Sequence, residues 1–217
     1  MIWLDATQRH HLTREEPNDS VIPWRAKIRA HTALELTDDE PESFIIGRML
    51  ADEIRRFEVT EWGEEAWEVA DADSQGWSDL YSSFLNADGD FCEDELETLA
   101  DPIVYLYRFD VHPDFAKWKM AALDAFCRLF STDAIIVALY RAAHLSLEEF
   151  KSVGFQVWNG FGKDAPSDPR HIHEHVRWML RDNSLATPLT VADYPKDCPD
   201  ATVEHAKWVK EQGRIRG

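Results

Sequence analysis

The alternation of apolar and polar side chains is clearest between Ile103 and Trp158. Ile103–Val111 is dense in β-branched and aromatic residues and stops short of Pro113, which predicts a strand. From Phe115 to Phe130 the apolar positions Phe115, Trp118, Ala122, Ala125, Phe126 and Leu129 recur at helical spacing. Ala134–Tyr140 is short and almost wholly apolar, the pattern of a strand buried on both faces. Ser146 with Glu149 three residues on carries the signature of a capping box, and Gly154 closes that short helix before Phe155–Trp158. The order strand, helix, strand, helix, strand predicts an α/β unit.

The flanking patterns are weaker. Met1–Asn18 has no clean period and reads as an N-terminal appendage. Ile22, Trp24, Ile28 and Leu34, interrupted by Pro23, predict a first strand within Val21–Leu36. Asp38–Pro41 reads as a turn and Phe44–Leu50 as a strand, with Ala51–Phe57 either continuing it or turning helical. Trp77, Leu80, Tyr81 and Phe84 fall on one helical face behind Asp73 and Ser74, either of which suits an N-cap. After a Gly- and Pro-rich loop at Asn159–Pro169, Arg170–Arg181 reads as a helix with Ile172, Val176, Met179 and Leu180 inward, and Val203–Gln212 as a terminal helix.

The residues at the joints of the central unit resemble the acetyl-CoA-binding half of the GNAT-type N-acetyltransferases. Val111-His112-Pro113 stands where that family ends a strand in Val-x-Pro, and Val153-Gly154-Phe155 where it closes a helix in Gly-Phe. Between them, Ala116–Ala121 occupies the position of the phosphate turn, Arg/Gln-x-x-Gly-x-Gly/Ala. Ala121 fits that pattern, whereas Ala116 replaces the Arg or Gln, Lys119 replaces the first Gly, and Phe150 stands where the family often has a proton-donating Tyr. The resemblance implies a GNAT-like fold, a mixed, twisted central sheet flanked by helices, over residues 19–160. Residues 161–217 would then form a C-terminal helical extension packed on the same domain.

It also implies acetyl-CoA or another acyl-CoA as cosubstrate. Phe109 and Val111 would line the pantetheine, and Ala116, Lys117, Trp118, Lys119, Met120 and Ala121 the pyrophosphate. Asp110 and His112 are the nearest groups for a general base, with Tyr140 as a substitute proton donor. The activity implied is acyl transfer to an amine. The alternative is a catalytically inactive protein of the same fold whose acidic surface binds a basic partner, as a mimic of nucleic acid.

Charge sharpens this picture. The 217 residues carry a formal net charge of −18. Between Glu35 and Glu97 there are 21 acidic residues against three arginines, so this segment alone equals the charge of the chain. Such a field repels nucleic acid and attracts a cationic small molecule or a basic protein. No apolar run approaches the ~20 residues a bilayer requires, so no membrane span is expected. Cys92, Cys127 and Cys198 match no zinc spacing and suit free thiols in a reducing cytoplasm. His171 and His175 share a helical face, but the Glu of a metalloprotease helix and a third ligand are missing, and Asp88-Gly89-Asp90 lacks the rest of a calcium loop. No metal is expected.

Overall fold

The computed structural model describes residues 2–9, 16–31, 42–86, 88, 91, 100–158 and 177–215. Its strands are β1 (Ile2–Gln8), β2 (Ile22–His31), β3 (Ser43–Ile54), β4 (Ile103–Val111), β5 (Ile135–Leu139), β6 (Gln156–Trp158) and β7 (Trp178–Asp182). They form one sheet in the order β1-β2-β3-β4-β5-β7-β6. β4 and β5 run parallel, and every other neighbouring pair is antiparallel. The helices are α1 (Arg56–Glu61), α2 (Ala66–Asp73), α3 (Gln75–Ser82), α4 (Lys119–Cys127), α5 (Tyr140–Ala143), α6 (Leu147–Ser152) and α7 (Val203–Ile215). The fold is α/β, a seven-stranded mixed sheet flanked by helices, and no helix among the described residues is long and apolar enough to cross a membrane.

The sheet separates two cores. One holds Phe115, Leu123 and Phe126 of the α4 segment with Phe150 and Phe155 around α6. The other holds Val69 and Ala70 of α2 with Trp77, Leu80, Tyr81 and Phe84 of the α3 segment. β5 feeds both: Ile136 and Ala138 enter the first, Ile135 and Val137 the second. This two-sided burial is why its sequence is continuously apolar. The crossover from β4 to β5 runs through a 3-10 turn, Pro113–Trp118, and then α4, with the helical backbone interrupted at Phe115. Leu129 lies past the end of α4 and is 46% exposed, although its spacing predicted an inward position.

The caps follow their sequence signals. Ser74 accepts a hydrogen bond from the Trp77 N–H at the start of α3. At α6, Ser146 Oγ accepts from Glu149 N at 3.2 Å while Glu149 Oε2 accepts from Ser146 N at 2.7 Å, closing the capping box. Gly154 ends this helix at φ +82°, a backbone conformation that a side chain would strain.

Two expectations change, and the open reading of Ala51–Phe57 is decided. Ile2–Gln8, inside the presumed appendage, is the edge strand paired with β2. β3 continues through Ala51 to Ile54 before α1 begins. Trp178–Asp182, expected to end a helix, is instead strand β7 between β5 and β6. Met179 and Leu180 enter opposite cores, as neighbouring residues of a strand do and neighbours on one helical face do not. The presumed helical extension therefore supplies a strand of the sheet as well as α7. The Asp38–Pro41 turn, the loop at Asn159–Pro169 and the histidines at 171, 173 and 175 lie outside the described residues.

A buried ion pair fixes α4 to the sheet. Arg181 of β7 donates to Asp124 Oδ1 at 3.0 Å and to the Val153 carbonyl at 2.8 Å. The second carboxylate oxygen of Asp124 faces Arg128 Nε at 3.2 Å and accepts from Leu189 N, also at 3.2 Å. Asp124→Ala should cost about 3–5 kcal/mol in urea unfolding, because it strands a buried guanidinium. The double replacement Asp124→Leu/Arg181→Met should cost less than either single change. A larger loss in the double variant would show that the charges themselves carry the stability.

Candidate functional site

The sheet opens at one place, and the cause is local. β4 pairs with β5 only from Ile103↔Ile135 to Leu106↔Ala138, then continues to Val111 against β3 alone. On the β3 side, Leu50 pairs with Arg108 and Ala51 with Leu106, so Tyr107 is the extra residue of a β-bulge. The strand bends where its pairing with β5 ends, and α5 packs beside its outer half.

On the α2–α3 face, across β4 from this opening, stands Asp52. It belongs to β3 opposite Tyr105, one residue after Ala51, which enters the other core, and two before Ile54, which enters this one. Tyr105 meets Trp77 of α3 edge-on at 5.6 Å and lies 6.0 Å from the Tyr107 ring. Burial lifts the Asp52 carboxyl to a pKa of about 7, and the charge of Asp73 at the end of α2 adds to it. The polarity of the Trp77 indole, whose N–H makes no hydrogen bond among the described residues, and the charge of Arg25 only partly oppose the shift. Burial and the neighbouring Asp52 push the Tyr107 phenol up to about 12. Near neutral pH this pair offers a carboxylate able to take up a proton beside a phenol that keeps its own, the division of roles expected of an acid–base site.

The residues named from the sequence are distributed differently. Asp110 is buried and accepts from Arg108 Nε at 2.7 Å and Arg48 Nε at 3.1 Å. Burial works to raise its pKa, but the two guanidinium hydrogen bonds outweigh it and hold the carboxyl below its ordinary range. A carboxylate held so is an anchor and a poor base. The same Arg108 donates to the Gln212 carbonyl and so ties α7 to β4. Phe109 and Val111 are core side chains, so only their backbone faces the opening. Tyr140 begins α5, buried and 6.0 Å from the Phe150 ring, with its phenol pKa raised by burial.

The presumed phosphate turn is wound up. Within Pro113–Trp118 and the start of α4, the Lys119 N–H already donates to the Ala116 carbonyl. Lys119 Nζ donates to the His144 carbonyl at 3.2 Å, and the Trp118 indole to the Asp197 carbonyl at 3.3 Å. Ala116 and Lys117 are exposed, Met120 is half-buried, and Ala121 is buried. The side chain of Lys117 is the cation left facing solvent at this turn.

His112 joins a second cluster, with Asp114 and His205, whose donor atoms lie within 4.8 Å of one another. Their hydrogen bonds decide whether they suit a metal. His112 Nδ1 accepts from Asp114 N at 3.2 Å, and His205 Nδ1 accepts from Thr202 N at 2.9 Å. Both rings therefore carry their proton on Nε2, and His205 Nε2 donates to Asp114 Oδ2 at 3.2 Å. A ring nitrogen bound to hydrogen is no ligand, and moving that proton to Nδ1 would break a backbone hydrogen bond. The cluster instead docks α7: the His112 ring stands edge-on to His205 at 4.5 Å and to Trp208 at 5.1 Å. Burial and the adjacent His205 lower the His112 pKa, which keeps the ring neutral.

Sequence reasoning passed over both Asp52 and His205. Asp52 had a signal, since with Ala51–Phe57 read as a strand it shares a face with Ile54 and so is a carboxylate in an apolar row. His205 had none, because nothing local joins it to Asp114, 91 residues away.

A titrating Asp52 makes stability depend on pH. The folded chain holds this proton more tightly than the unfolded chain, so wild type loses stability as pH rises from about 4 to about 7. Asp52→Asn cannot lose a proton. It should match wild type at low pH and exceed it above pH 7 by up to about 4 kcal/mol, less whatever the remaining water contact screens. Urea unfolding at acidic and mildly basic pH measures the gap, and a gap that does not widen with pH would show that Asp52 titrates normally. No family model matches the chain, and no curated protein or solved structure matches it either.

Proposed function

We propose that the protein transfers an acyl group from an acyl-CoA to an amine, with Asp52 as the general base. The observation that carries this reading is that three features fall along one short stretch of β4, Tyr105 to Tyr107. These are the parting of β4 from β5 after Leu106, the Asp52 carboxyl at a pKa of about 7, and the Tyr107 phenol beside it. The order β4, α4, β5, α6, β6 and the parallel β4–β5 pair are what the resemblance to the GNAT-type N-acetyltransferases implies for the half of the chain that binds acyl-CoA.

In this mechanism the edge of β4 beyond Leu106 receives the pantetheine through its backbone, and Lys117 attracts the phosphates as a point charge. Asp52 takes a proton from the incoming ammonium, and the freed amine attacks the thioester carbonyl carbon. The C–N bond forms, the C–S bond breaks, and the thiolate leaves with its electron pair. Tyr107 supplies the proton to sulfur and regains one from the amide nitrogen as it loses its second proton. With a pKa of about 12, Tyr107 remains protonated until the leaving group demands its proton.

The second reading, an inactive protein of this fold that binds a basic partner, has its own support. The Lys119 N–H is occupied by the Ala116 carbonyl, and Phe150, fully buried in the core, has no proton to give.

Calorimetric titration of the full chain with acetyl-CoA, up to about 1 mM, separates the two, since substrate constants ordinarily fall below that value. Binding followed by thiol release in the presence of a polyamine is expected. The log of kcat/KM should climb with unit slope and level off above about pH 7. Asp52→Asn should lower kcat by roughly 10²–10⁴-fold and remove that slope, while acetyl-CoA binding survives. Absence of binding heat would discard acyl transfer and leave the partner-binding reading.

A further inference from the structure

Helices α1 and α2 present an unusual surface on the side of the molecule away from α4. Phe57, Trp62 and Trp67 stand 45%, 63% and 51% exposed within a dozen residues. Phe57 and Trp67 flank a cleft of about 370 Å³ whose other walls include Thr60, Glu65, Tyr81 and Phe91. Exposed aromatic rings at this density mark a contact surface rather than a solvated helix pair.

The charge around the rings selects the occupant. From Arg55 to Asp71 there are six acidic residues and two arginines. Both arginines are engaged: Arg55 bridges Glu53 at 2.6 Å and Glu58 at 3.4 Å, and the buried Arg56 lies over the Phe91 ring at 3.5 Å. Ser20 donates to Glu64 at 2.6 Å. Glu61, Glu65 and Glu68 remain exposed around Trp62 and Trp67. The stacking of Arg56 on Phe91 shows that this wall already accommodates a guanidinium by its ring face.

We infer that the α1–α2 face docks a lysine- and arginine-bearing peptide segment of another protein, its cations paired with Glu61, Glu65 and Glu68 and stacked on Phe57, Trp62 and Trp67. The rings and carboxylates extend over two helices, which suits an extended chain better than one small amine. The same carboxylates repel nucleic acid and anionic headgroups. This surface stands independently of acyl transfer. α2 rises about 9 Å from Trp67 to Asp73, whose charge reaches Asp52, so a bound peptide would lie less than one helix length from that residue.

The test uses the full chain and fluorescein-labelled peptides of alternating Lys-Gly, Arg-Gly and Gln-Gly, read by fluorescence anisotropy without acyl-CoA. The two cationic peptides should bind and the Gln-Gly peptide should not, with affinity falling at least about tenfold between low and high salt. The triple change Glu61→Gln, Glu65→Gln, Glu68→Gln should weaken binding at least about tenfold, and Trp67→Ala about five- to thirtyfold. Glu204→Gln with Glu211→Gln on α7, removing exposed acids elsewhere, should leave it unchanged. Every site lies at the surface, and unchanged melting temperatures would confirm folding. Equal binding by the Gln-Gly peptide, equal weakening by the α7 pair, or indifference to Trp67→Ala would each overturn the inference. Peptide binding by a chain that fails to bind acetyl-CoA would remove the catalytic reading and leave this one intact.

Discussion

The Asp124–Arg181 pair is the constraint on which the rest of the structure depends. Both groups are buried, and neither tolerates burial alone, so each is held by further partners: Val153 and Asn183 for the guanidinium, Arg128 and Leu189 for the carboxylate. Those partners come from α4, the turn after α6, β7 and the segment beyond it. One ionic cluster thus clamps the crossover helix and threads β7 between β5 and β6. It also makes the chain after residue 177 part of the sheet.

Burial has opposite effects on two other carboxylates of the same sheet, and the difference decides their use. Asp110 sits between Arg48 and Arg108, which keep it ionised. Asp52 accepts no hydrogen bond from a cation among the described residues; the indole of Trp77 and the field of Arg25 oppose its shift only in part, while Asp73 repels its charge. Both stand on neighbouring strands near the bulge. The local partner, rather than depth, sets one as a brace and the other as a proton acceptor.

Legibility in the sequence followed the length over which a physical signal persists. The β4-to-β6 unit was visible because long apolar runs ended at Pro113, Ser146 and Gly154, residues whose backbone or capping chemistry is local. α3 was visible through its four buried rings and side chains behind Ser74. β1 was not, because an edge strand half in water has no strong alternation. β7 was misread because Met179 and Leu180 are adjacent apolar residues, which suit a helix as well as a strand buried on both faces. The site was legible only in part: the strand carrying Asp110 and His112 was placed well, yet their roles depend on Arg48, Asp114 and His205, contacts made across 62 and 91 residues. The role of Asp52 required knowing where β4 leaves β5.

The bulge at Tyr107 reverses the parity of β4. Before it, Val104 and Leu106 face the α4 core; after it, Phe109 and Val111 do, so even positions hand over to odd ones. Core and site are therefore written on one strand in opposite phase, and a single residue keeps them apart. Losing that residue would put Phe109 and Val111 in the places of the paired Arg108 and Asp110 and carry those charges into the apolar layer. Substitutions along β4 can be absorbed one at a time, but its length at this point admits no change that does not exchange the apolar face for the ionic one.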